Sequence, residues 1–174
     1  MEILGNVLIP ILALAVIILL ILFISKSRKD SRHYDEMQEH IRATGYKISY
    51  FVTLIGLTLL CILMETIPAF SRVISPTFGM FTVLMAGIVT FVIYCIFHDS
   101  FLSIGQNIKS YMVLCVVIIV CNGIGCARQI SEKSFLEDGQ LTFSGASNLV
   151  CALSFLVILI ALVIRNAKSG EAEE

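Results

Sequence analysis

The chain has 174 residues, of which 57% are hydrophobic and 14% charged, with a mean hydropathy of +0.93, and a water-soluble domain of this size could not bury that much apolar surface. The formal net charge of -1 gives no global positive field with which to attract phosphates, so nucleic acid is not expected as a partner. The composition predicts an all-α integral membrane protein, with the lipid bilayer as its principal partner.

Residues 3–25 form an apolar run interrupted by Gly5, Asn6 and Pro10 and ending at Ser25, longer than the roughly 20 residues that cross a bilayer core. Glu2 stands where a signal peptide would carry Lys or Arg, so this run is expected to stay as a first span. Further spans are predicted over 48–70, 77–97, 111–127 and 145–164, giving a bundle of five transmembrane helices. Tyr46, Tyr50, Phe70, Phe78, Phe97 and Tyr111 flank these runs and supply the interfacial aromatic belt, since Trp is absent.

Between the first two runs, Tyr34, Met37 and Ile41 recur at helical spacing, with Arg32, Glu36, Glu39, His40 and Arg42 on the remaining surface. This predicts a short amphipathic helix over 31–44 on the inner membrane surface, capped by Ser31 or Asp30, with a turn at Gly45. Residues 1–168 read as one transmembrane domain, and the acidic tail 169–174 as disordered. Glu137, Asp138 and Gly139 mark a turn between the last two spans.

Orientation follows from Lys and Arg, which are retained on the cytoplasmic side. Lys26, Arg28, Lys29, Arg32, Arg42 and Lys47 flank the first loop, Lys109 lies in the third, and Arg165 and Lys168 follow the last span; the opposite side holds Arg72, Arg128 and Lys133. The N-terminus is therefore expected outside, the C-terminus in the cytoplasm, and the protein in the cell membrane.

Glu65 is the carboxylate that stands well inside an apolar run, about 7 to 8 Å from the outer end of its helix, and such residues are functional candidates. Asn122 and Asn148 fall at comparable depth, with Arg72 on the same side. Together they read either as an outward-facing polar vestibule or as interhelical hydrogen-bond glue with Glu65 snorkelling outward. The six cysteines all lie in apolar runs and read as small hydrophobes. His33, Glu36 and His40 share a helix face, but the imidazoles would stand about 10 Å apart, too far for one ion, so no metal site is expected. No nucleophile elbow, HExxH or phosphate-binding loop occurs, so neither enzyme activity nor a cofactor is expected.

Two stretches carry a family resemblance. Asp35, Glu36, Met37 and Gln38 through Arg42, Gly45, Tyr46 and Lys47 are similar to a pattern DERQ followed by R-G-K-G-Y-K, with Met37, Ala43 and Thr44 as departures. Tyr94, Cys95 and Ile96 with Asp99 and Asn107 resemble Y-C-I followed by D-A-Y-F and N, with Ser100 and Phe101 replacing the A-Y pair. A group of small integral membrane proteins of Gram-positive bacteria, chiefly Firmicutes, shows both patterns. The resemblance covers about a third of the chain and implies a bacterial cell-membrane protein with no catalytic residues to carry over.

Asp99 at the inner end of the third span faces the basic first loop, which predicts a contact with Arg42 or Lys47 that ties the loop to the bundle. The function expected is a non-enzymatic accessory or regulatory component working through that loop on a partner membrane protein. A small oligomeric transporter or channel with an outward-facing polar site is the alternative, including a homo-oligomer, and a membrane enzyme comes last.

Overall fold

A computed structural model describes residues 35–102 and 107–171, and these contain five helices: α1 (Glu36–Thr66), α2 (Pro68–Val73), α3 (Pro76–Phe97), α4 (Ile108–Ser131) and α5 (Phe143–Glu171). Four of them, α1, α3, α4 and α5, are long and apolar enough to cross a membrane. The expected span 3–25, the caps at Asp30 and Ser31, and His33 and Tyr34 lie outside the described residues.

Proline sets two of the helix boundaries. Pro68 ends the α1 pattern at Thr66 and opens α2, and Pro76 opens α3 behind Ser75, whose Oγ accepts from the Phe78 amide at 3.3 Å. The second span accordingly stops at Thr66 and not at 70. Asn107 caps α4 by accepting from the Lys109 amide at 2.9 Å.

The expected break at Gly45 does not exist. Residues 36–44 are helical, as their periodicity indicates, but they continue without interruption into the apolar part of α1. Gly45 is buried because it is a packing site: a Cβ there would meet Tyr94 at 3.0 Å, Phe91 at 3.2 Å and Cys95 at 3.5 Å. Likewise α5 runs through Glu171, so the first residues of the expected disordered tail are helical.

The helices pack α1 on α3, α3 on α5 and α5 on α4, which places α1 and α4 at opposite ends of a row. Antiparallel α1 and α3 meet through small residues: Gly56 takes Val83, Gly79 takes Leu60, and Gly87 lies under Thr53. Ser49 Oγ donates to the Gly87 carbonyl at 2.7 Å, and Tyr46 stacks on Phe91 at 4.2 Å between centroids. Where α3, α4 and α5 converge, Ile96, Cys115, Ile158, Ala161 and Leu162 form the buried core. Outward, α1, α3, α4 and α5 expose large apolar side chains such as Leu54, Ile88, Val117 and Ile160, an arrangement suited to lipid rather than water.

At the far end from Gln38 the connections are stitched together. Asp138 and Gly139, both at positive φ, form a tight turn between Glu137 and Gln140, as Asp-Gly pairs favour. The chain then lies alongside the α2–α3 junction, with the Leu141 amide on the Val73 carbonyl at 2.7 Å and the Ser75 amide on the Leu141 carbonyl at 2.9 Å.

Candidate functional site

The opposite end is organised by the way α3 stops. Past Phe97 the apolar run is exhausted, and Asp99 takes a left-handed conformation (φ 55°), which Asp tolerates better than most residues. The Ser100 amide returns to the Cys95 carbonyl at 2.9 Å and the Asp99 amide to Ile96 at 3.4 Å, the paired bonds of a Schellman cap. This reversal buries Ser100 completely and turns the carbonyls of 99 and 100 toward α1. Gln38 Nε2 donates to the Asp99 carbonyl at 2.8 Å, and Arg42 Nη1 to the Ser100 carbonyl at 3.0 Å. The Arg42 guanidinium also lies 5.6 Å from the Phe91 ring centroid, within range of a cation–π contact.

The Asp99 carboxylate goes elsewhere. Placed beyond the C-terminus of α3, it would face the negative end of the helix dipole uncompensated. Arg165 of α5 supplies the counter-charge, donating from Nε to Oδ1 at 2.7 Å and approaching the same oxygen with Nη2. Residues 99 and 100 thus tie α1, α3 and α5 together. The expected pairing of Asp99 with Arg42 or Lys47 takes a different form: Arg42 reaches the neighbouring backbone carbonyl, and Lys47 is exposed on another face. Sequence reasoning missed Gln38, Ser100 and Arg165 as members of this clasp. Arg165 carried one readable signal, being the first charge after the α5 apolar run just as His98 and Asp99 follow that of α3.

Beside the clasp lies a cavity of about 370 Å³, with Ile96, Leu162 and Ile108 on its apolar side and Asp99, Arg165, Asn107 and Asn166 among its polar lining residues. Its size is within the range of small-molecule sites.

The candidate vestibule residues are not brought together. Glu65 is exposed near the end of α1, Arg72 is exposed on α2, and no ion pair joins them. Asn122 is on α4, at the other end of the row, and donates to the Ile118 carbonyl of its own helix at 2.8 Å. Asn148, on α5, presses on the α4 backbone at Gly125, where an added Cβ would lie 2.7 Å from its Nδ2. The two asparagines therefore share the α4–α5 side, and Glu65 belongs to another. Glu36 and His40 are exposed on α1. Cys95, Cys115 and Cys126 are buried and all six cysteines are free thiols. Among the described residues no group of three His, Cys, Asp or Glu side chains is arranged to hold a metal ion.

No protein-family model, curated protein or solved structure matches the chain.

Proposed function

We propose that the chain is a multi-pass membrane protein acting as a non-enzymatic accessory or regulatory component, through the end of the bundle at which α1 begins. The observation that carries this reading is the convergence at that end. The two stretches resembling the Gram-positive membrane proteins meet there, Gly45 against Tyr94 and Cys95, and Gln38 and Arg42 on residues 99 and 100. The clasp holds one face of the first turns of α1, and the other presents Glu36, Met37, Glu39 and His40, with Met37 70% exposed. A braced helix with a polar face and a protruding Met is suited to recognising a partner. The separation of Glu65 from Asn122 speaks against a shared transport path.

A photo-crosslinking residue at position 37 of the full-length chain, expressed in its native membrane, is expected to give a discrete protein adduct. The control is position 153, on the apolar exposed face of α5, which should give none. Equal, background-level labelling at both positions would remove the accessory reading.

In the proposed orientation the clasp end is cytoplasmic. Arg42, Lys47, Lys109 and Arg165 cluster there, against Arg72, Arg128 and Lys133 at the other end, and retention of positive charge favours that placement. The beginning of α1 and the end of α5 share one side, as the Gln38 and Arg165 contacts to Asp99 require. A C-terminal alkaline phosphatase fusion is thus expected to be inactive and a C-terminal fluorescent protein bright. An active phosphatase would invert the arrangement.

A further inference from the structure

The cavity beside the clasp combines three features. The first is depth. The apolar run of α3 ends at Phe97 and that of α5 at Ile164, so a ligand there would have Ile96, Ile108 and Leu162 at the level of acyl chains and Asp99, Arg165 and Asn166 at the level of headgroups. The second is net charge. Among the described lining residues the charges are those of Asp99 and Arg165, which are paired, so their formal charges cancel and the rim offers a dipole. A purely anionic group would be repelled by Asp99 and a purely cationic one by Arg165, whereas a group carrying both signs can lie antiparallel to the pair.

The third feature is hydrogen-bonding capacity. Arg165 spends its Nε and Nη2 contacts on Oδ1, and Asp99 Oδ2 accepts no hydrogen bond from the described residues. The Arg165 side chain is 27% exposed and that of Asp99 67%, so both are reachable from the cavity while the guanidinium is partly desolvated. The Asn166 side chain stands on the same rim with an amide to donate.

From these features we propose that the cavity binds a phosphoethanolamine group, its primary ammonium on Asp99 and its phosphate on the Arg165 side near Asn166. Charge-assisted bonds to carboxylate and guanidinium are the strong class of such contacts. A primary ammonium donates three N–H bonds, whereas a trimethylammonium donates none and leaves Asp99 Oδ2 unanswered. The apolar floor extends the match to the glycerol and first methylenes of an aminophospholipid, which makes the bilayer the source in place of a soluble phosphate ester. The proposal rests on the membrane reading and is independent of the accessory role, so a partner-free result at position 37 leaves it standing.

The test uses the purified full-length protein in a neutral detergent, following thermal unfolding while short-chain phospholipid is added. Dihexanoyl phosphatidylethanolamine is expected to raise the midpoint saturably, at a half-saturating concentration at least tenfold below those of the phosphatidylcholine and phosphatidylglycerol analogues. Asp99→Asn should reduce that preference to less than threefold. Asn166→Phe, which crowds the rim and leaves the ion pair in place, should abolish it and serves as the readout if Asp99→Asn does not fold. Soluble phosphoethanolamine is expected to act only at much higher concentration; if it matched the lipid, the bilayer would be overturned as the source and the headgroup chemistry upheld. Indistinguishable responses to the three lipids would overturn the proposal.

Discussion

Gly145→Ala is expected to destabilise the folded bundle by about 3 kcal/mol, at the upper end of the cost of overpacking a filled site. An added Cβ would lie 2.5 Å from the Phe135 carbonyl oxygen, 2.8 Å from that of Ser134 and 3.0 Å from the Phe135 carbonyl carbon. All three are backbone atoms, so no side-chain rotation relieves the clash. Nor can the 134–135 segment withdraw cheaply. The Ser134 amide is bonded to the Gln129 carbonyl at 2.9 Å behind Lys133 in a left-handed conformation, and Gln129 Nε2 crosses to the Ser144 carbonyl at 2.6 Å. Gly123→Ala is the matched control, because nothing lies within 4 Å of its added Cβ, and it should be neutral or stabilising by up to about 1 kcal/mol from helix propensity. Reversible unfolding by SDS in mixed micelles measures both. If the two variants unfold together, the α4–α5 connection does not pack as described.

Leu162→Ala should cost about 2 kcal/mol, the low end of the range for emptying a buried leucine site. Leu162 is 1% exposed and packs among Ile96, Cys115, Ile158 and Ala161. In a water-soluble protein this substitution loses both the transfer free energy and the packing contacts. Helices that separate within lipid keep their leucines in an apolar solvent, so chiefly the packing part remains. Leu153→Ala, on the same helix at a site 51% exposed, should stay within about 0.5 kcal/mol of the parent. The same SDS titration decides it: a loss at 153 equal to that at 162 would mean that α5 faces its neighbours with a different side.

What could be read locally was read from the sequence. The long apolar runs identify four membrane-length helices because length and hydropathy are properties of a segment alone. The Asp138-Gly139 turn and the asymmetric placement of Lys and Arg are likewise local signals with local causes. Gly45 was misread as a break, since glycine lowers helix propensity, whereas here its missing side chain admits Tyr94, Phe91 and Cys95.

Tertiary structure alone decided which helices are neighbours. Equally apolar faces carry little information about partners, so the row α1–α3–α5–α4 was not legible, and with it went the fate of every polar candidate. Glu65, Asn122 and Asn148 matched in depth along their helices, a one-dimensional property, but Glu65 and Asn122 lie at opposite ends of the row. Asp99 and Arg165 are 66 positions apart and meet because α3 and α5 are adjacent and end on the same side. Depth is written in each helix separately, and proximity only in the way the helices pack.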